Sequence, residues 1–342
     1  MKVLVTGATG FIGGHVVDAC LDQGYEVRAL VRPVTPSGHL SDRGVEVVSG
    51  DVTDFRSVWV AARQVDAVLH LAALYSMRPG PAAYERANVE GTRNVMRACV
   101  ESGARAVHCS SIVAVGGSTD PGRAVDEDTD WNLGATGDPY ILSKRRSEEE
   151  VLEMCAAGSL DVVIVNPTGP VGPRDVKPTP TGNLLVMCLN GLGRVAPEGG
   201  INLVDVADVA AGHVLALTRG RTGQRYILAG ENLTTLQMLN RFAAVTGCPG
   251  PMAVVPHPAV AVAAAGAELV ARLTGGDPLM TRATARVSRF FLFASSDKAC
   301  VELGYAPASV DAAIAGAARW FAANGYLKRR AAARVLARLG GP

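Results

Sequence analysis

A doubly wound, parallel α/β sheet followed by a smaller, mostly helical lobe is the fold this sequence predicts. Three observations carry it. Through about residue 165, short β-branched runs alternate with helical stretches, the order that parallel strands and crossover helices need. A glycine-rich turn, Thr6-Gly7-Ala8-Thr9-Gly10-Phe11-Ile12-Gly13, follows the first apolar run at once. After Pro167 the texture changes, with five prolines by Pro180. The boundaries are therefore set at 1–166 for a dinucleotide-binding domain and 167–342 for a substrate-binding lobe. Elements near 200–230 are expected to return to the first sheet.

The elements follow in order. Val3–Thr6 reads as the first strand, and His15–Gln23 as a helix stopped by Gly24. Glu26–Val31, Val45–Ser49 and Ala67–Leu71 read as strands two to four. Tyr84–Ser102 reads as one long helix, Ala106–Ser110 as the fifth strand, Ile141–Ala157 as a helix and Asp161–Asn166 as the sixth strand. Pro167–Pro180 cannot be helix and reads as a loop at the carboxyl edge of the sheet. Beyond it come a helix near Leu184–Asn190, a strand near Ile201–Val204, a helix Val206–Thr218 and a strand Arg225–Leu228. The remainder reads as mostly helical, with Ala259–Ala267 as a buried helix too short and too rich in small residues to span a membrane.

Composition narrows the function class. The 342 residues are 48% hydrophobic and 19% charged, which is globular rather than disordered, and the net charge of +1 gives no overall bias toward nucleic acid. Seven scattered cysteines without a Cys-x-x-Cys pair fit a reducing, cytoplasmic compartment with buried free thiols. No metal site is expected, because no His/Cys cluster has ligand spacing. No targeting segment is visible, since the N-terminus runs straight into a strand.

The turn is the first chemical motif. Gly7 permits a tight bend, Gly10 lets backbone approach a pyrophosphate, and Gly13 lets the helix pack on the sheet. With Thr9, Phe11 and Ile12 they place free amides at a helix start, where the helix dipole favours phosphate. Val31 stands at the tip of the second strand, where a carboxylate would bind a ribose 2′-hydroxyl, and Arg32 follows. An arginine there can pair with a 2′-phosphate, so NADP(H) is the preferred cofactor and NAD(H) the second choice. Arg32 stacking on adenine stays open, and Arg28 is a second candidate. Asp51, beside Val52, could accept the adenine amino group or cap a helix, and Thr53 or Asp54 could cap instead. Leu71, Ala72 and Ala73 are small enough for backbone to lie against the cofactor. His70 reads as a satisfied core histidine. Asn88, a poor helix former, could pin strand backbone near the site.

The second motif is Tyr140-Ile141-Leu142-Ser143-Lys144, with Ser110-Ser111 ending the fifth strand. Tyr140 and Lys144 share a helix face. A phenol of pKa about 10 is a poor base at neutral pH, and a nearby ammonium favours the phenolate. Ser111 would hold a substrate oxygen, Tyr140 would exchange its proton, and Lys144 would tune Tyr140 and bond the nicotinamide ribose.

In combination these residues resemble the extended short-chain dehydrogenase/reductase family, of the NAD-dependent epimerase/dehydratase type. The stretches Asn166–Pro180, Asn202–Ala210 and Gly230–Thr234, with Leu303-Gly304-Tyr305 and Trp320–Tyr326, are similar to the hopanoid-associated sugar epimerase subfamily. The resemblance implies a Rossmann-type domain, a C-terminal substrate lobe, a Ser/Tyr/Lys site, and Pro167 bordering the nicotinamide. It also implies a sugar-like, hopanoid-linked substrate and a homodimer. Val31-Arg32 is closer to the dihydroflavonol-reductase-like branch, which implies net reduction with NADP(H). Redox-neutral epimerisation with retained NAD is the rival within enzymes. A non-catalytic dinucleotide sensor is the rival outside them, and the intact Ser111/Tyr140/Lys144 set speaks against it. Aliphatic small residues from Pro251 to Thr274 suit a greasy substrate or ordinary core. The tail Lys328-Arg329-Arg330…Arg334…Arg338 forms a basic amphipathic helix that could touch an anionic membrane surface or stay solvated.

Overall fold

In the computed structural model the described residues are 1–75, 80–274 and 282–341, with side chains at 268–274, 282 and 284 outside that description. Strands β1 (Lys2–Thr6), β2 (Glu26–Val31), β3 (Glu46–Ser49), β4 (Ala67–His70), β5 (Arg105–Cys109) and β6 (Val162–Pro167) form one parallel sheet. Its spatial order is 3-2-1-4-5-6, the doubly wound arrangement, and a later strand, Arg225–Leu228, extends it beyond β6. The inner strands β1, β4, β5 and β6 are buried on both faces, which is why they read as continuous apolar runs rather than alternating ones, while the edge strand β3 is partly exposed. One face packs on helices Phe11–Asp22 and Val206–Arg219. The other packs on Phe55–Ala61, Gly91–Ser102 and Pro139–Ala156.

The proline-rich segment is not all loop. Gly169–Val171 forms a strand, β7, paired parallel with β9 (Gly200–Asp205). Proline is tolerated there because the segment is short and Pro170 needs no amide donor at its position. Pro180 then opens helix Pro180–Leu189, with the Thr179 hydroxyl accepting from the Gly182 amide. Asp175 organises the turn between them, since one of its oxygens accepts from both the amide and the hydroxyl of Thr179. Arg174, held in the left-handed region at φ 68°, reaches back to His15 and Asp18 on the first helix.

The lobe also contains β8 (Val195–Pro197) paired with a strand Ala253–Val255, and β11 (Glu231–Thr234) antiparallel to β9, the Arg225–Leu228 strand being β10. Its core joins helices Pro180–Leu189, Thr235–Thr246, Asp311–Ala323 and Arg329–Leu339 around Phe242 and Phe321, both fully buried. The expected long helix from Tyr84 begins at Pro81 and contains a π-helical turn over Glu85–Glu90.

One expectation for the lobe fails. Helix His257–Thr274 is not a buried helix, because within Ala259–Ala267 only Val260 and Ala264 are buried and Val262 is 74% exposed. Small apolar residues all round a helix do not reveal how much of it the fold covers. The terminal helix Arg329–Leu339 does not present its apolar side outward. Ala331 and Val335 are buried in the lobe core, and Arg334 and Arg338 donate to carbonyls that end neighbouring helices, those of Leu189, Ala244 and Val245. No described helix is long and apolar enough to cross a membrane. All seven cysteines are free, five of them buried and Cys155 and Cys300 partly so.

Candidate active site

The glycine turn is built as a cradle. Gly7 sits at φ 76°, and a Cβ there would lie 2.7 Å from the Ala72 amide at the end of β4. At Gly13 a Cβ would lie 2.0 Å from the Gly7 carbonyl oxygen, so only glycine lets the helix approach the turn. Gly10 is the N-cap and has no side chain to satisfy the first-turn amides, so the start of a twelve-residue helix is left open for an anion. Thr9, Phe11 and Ile12 line this start, and Leu71 and Ala72 face it from β4, with Ala73 exposed. These residues fit a dinucleotide pyrophosphate.

Arg32 lies just past the tip of β2, exposed and without an ion pair or side-chain hydrogen bond to a described residue. Arg28 is different. It is buried, donates to the carbonyls of Ala61 and Arg63, and pairs with Glu46. It therefore closes the end of helix Phe55–Ala61 and is not available to a cofactor. Asp51 accepts from the amide and hydroxyl of Thr53, while Asp54 caps the helix. One Asp51 oxygen and Val52 remain at the rim beyond β3.

At the centre of the sheet, Asp138 caps helix Pro139–Ala156 by accepting from the amides of Tyr140 and Ile141. Pro139 at its first position fixes the entry. This sets Tyr140 in the first turn and Lys144 in the next. The Tyr140 phenol lies near the Ser111 hydroxyl; burial holds its pKa well above the ordinary value, and Ser111 offsets only part of that rise. Ser111, extended at the end of β5, caps the short helix Ile112–Val115. Lys144 is 4% exposed and donates to the Cys109 carbonyl at 2.8 Å. Burial lowers its pKa. The pull expected from Lys144 on the phenol is not among the main influences in this structure, because the ammonium is turned to the β5 carbonyl.

A chain of hydrogen bonds supports these groups from beneath. Asn88, 1% exposed, accepts from the Leu74 amide at 2.6 Å and donates to the Ser143 hydroxyl at 2.9 Å, and Ser143 in turn donates to the Tyr140 carbonyl. It thus pins the backbone just beyond β4 to the Tyr140 helix, from within the π turn. Thr92 donates to the Asn88 carbonyl, so its single proton is used and His70 Nε2 must donate to it. His70 Nδ1 then accepts from Thr6. His70 is a core histidine held neutral, with burial lowering its pKa to about 3.

Several members of this layer gave no sequence signal. His108 stacks on His70 with ring centroids 5.5 Å apart. Asn166 donates to the Ser111 carbonyl and to Glu148, a fully buried carboxylate that also pairs with Arg225. Glu148 lies four residues after Lys144 on the same face, and that spacing is the one clue that could have found it. Two residues that the sequence did single out, Ser110 and Pro167, also lie here: the Ser110 hydroxyl is buried without a hydrogen-bond partner among the described residues, and Pro167 is buried at the end of β6. Among the described residues no group of three His, Cys, Asp or Glu could hold a metal ion.

An open helix start, a glycine cradle and a Ser/Tyr/Lys set on the carboxyl rim of a doubly wound sheet define an NAD(P)-dependent enzyme of the extended short-chain dehydrogenase/reductase type. The chain belongs to the NAD dependent epimerase/dehydratase family, whose model matches residues 3–229. It is 37% identical over 330 residues to a putative dihydroflavonol 4-reductase of Synechocystis sp., covering 95% of both chains. It is 34% identical to sterol demethylase protein B of Methylococcus capsulatus, over 96% of this chain and all of that one. The crystal structure of gox2253 superposes with a TM-score of 0.85 at 39% identity, covering 96% of this chain and 99% of the other.

Proposed function

We propose that this protein is an NADP(H)-preferring oxidoreductase acting at a secondary alcohol or ketone of a sugar-like, hopanoid-linked substrate. The observation that carries the chemistry is the Tyr140 phenol against the Ser111 hydroxyl, with Lys144 buried one turn on. The nicotinamide, when bound, supplies or accepts the hydride. Ser111 holds the substrate oxygen and Tyr140 gives or takes its proton. Lys144 anchors the ribose side and, once released from the Cys109 carbonyl, favours the phenolate. Asn88 and Asn166 keep Tyr140 and Ser111 in register. The unpaired Arg32 at the tip of β2 supports a 2′-phosphate, and the likeness to a putative reductase supports net reduction. The seven free cysteines fit a reducing, cytoplasmic setting.

One set of measurements tests this. Wild type, Tyr140→Phe and Arg32→Ala are compared for NADPH and NADH binding and for reduction of a carbonyl panel. Tyr140→Phe should lose about 10²- to 10⁴-fold in turnover with NADPH affinity intact. Arg32→Ala should lose the preference for NADPH. Full activity in Tyr140→Phe removes the acid/base role, and NAD that survives gel filtration on the purified protein favours epimerisation.

A further inference from the structure

Charge is sorted along this chain. Residues 176–197, 235–267 and 312–342 contain nine lysines and arginines and no aspartate or glutamate, although the whole chain carries only +1. The fold gathers most of them, because helices Pro180–Leu189, Thr235–Thr246, Asp311–Ala323 and Arg329–Leu339 share the core of the lobe, while helix His257–Thr274 packs in a cluster of its own. Four of the nine arginines and lysines are occupied. Arg319, Arg334 and Arg338 donate to carbonyls, and Arg241 pairs with Glu231 and Asp311. Lys177, Arg194, Lys328, Arg329 and Arg330 have no ion pair or side-chain hydrogen bond with a described residue.

The same segments carry eight of the fourteen large hydrophobic side chains that stand exposed among the described residues, on a quarter of the chain. Leu192 is 62% exposed, Met252 76% and Val262 74%. Leu192 and Met252 lie close together. The Met252 amide donates to the Arg194 carbonyl, Val195 stands opposite Ala253 in the β8 ribbon, and the Leu192 amide donates to the Met187 carbonyl. The Lys328 amide donates to Asn190, two residues before Leu192. Leu192, Val195, Met252 and Val254 thus lie near Arg194 and the start of the terminal helix.

We propose that this end of the lobe docks on an anionic lipid bilayer. Leu192, Met252 and Val254 enter the headgroup region, and Arg194 with Lys328–Arg330 meets the lipid phosphates. A second copy of the chain fits poorly, since two identical basic faces would repel. Single-stranded nucleic acid fits poorly too, since stacking needs aromatic platforms and this surface is aliphatic. The terminal helix contributes charge at its start while its apolar side stays in the core.

The test is flotation of the full-length protein with phosphatidylcholine vesicles, with and without phosphatidylglycerol. Binding is expected only with the anionic lipid and should weaken with salt. Arg329→Ala/Arg330→Ala should lower affinity roughly thirtyfold, at about 1 kcal/mol for each basic residue near the surface. Leu192→Asp/Met252→Asp should abolish flotation with melting temperature and turnover unchanged. No flotation with either vesicle, equal binding to both, or binding that survives Leu192→Asp/Met252→Asp overturns the proposal.

Discussion

The layer beneath helix Pro139–Ala156 and the core of the lobe are both buried, yet they are made of opposite materials. Beneath the helix lie His70, His108, Lys144, Glu148 and Asn166, all at most 4% exposed. In the lobe core the packed side chains are Leu, Ile, Val, Ala, Met, Cys and Phe. A buried polar group costs stability unless its partners are in place, so such a layer persists only where those partners are supplied. Here strands and helices from four parts of the chain supply most of them, while both ring nitrogens of His108 and Oδ1 of Asn166 have no hydrogen-bond partner among the described residues; the layer ends at Ser111 and Tyr140. The apolar core has no such duty and keeps its polar contacts at helix ends on the surface.

This contrast can be broken or sharpened by experiment, beginning with the largest effect. Phe242→Ala removes a fully buried ring from the lobe core and should cost about 3–5 kcal/mol in urea unfolding. A loss under about 1 kcal/mol would mean the lobe is loosely packed. The polar layer should respond to acid instead. His70 in that layer, and His213 buried on helix Val206–Arg219, have folded pKa values lowered to about 3 and about 4, from an ordinary 6.5. Above 6.5 neither state binds the proton. As pH falls below it, the unfolded chain takes up protons that the folded chain refuses, so stability drops until the folded values are reached. From pH 7 to pH 5 each histidine should cost about 2 kcal/mol, read as a falling melting temperature. His70→Gln should flatten that slope by one histidine's share. The smallest effect belongs to Arg338→Ala, which frees two exposed carbonyls at the end of helix Thr235–Thr246 and should cost about 1 kcal/mol. A cost equal to that of Phe242→Ala would erase the distinction between surface caps and core.

Much of the sheet was legible because each strand is a buried β-branched run closed by glycine or a charged turn. The strands Glu26–Val31 and Arg225–Leu228 have the bounds read from sequence, and most other strand ends lie within a residue or two. The Gly7–Gly13 turn and the Tyr140/Lys144 spacing were legible because both are local. What stayed hidden was long-range. Asn166 and Glu148 meet across eighteen residues, and Arg28 is consumed by carbonyls thirty-three and thirty-five residues away. The strand Gly169–Val171 was masked by its prolines, since its partner β9 lies thirty-four residues on. The exposure of helix His257–Thr274 was unreadable because alanine and valine suit a core and a covered rim equally.

Arg174 ties the proline-rich segment to His15 and Asp18, one turn below the glycine cradle. The glycine turn and the proline-rich segment are therefore both fastened to helix Phe11–Asp22, and a substitution that shifts that helix should disturb both.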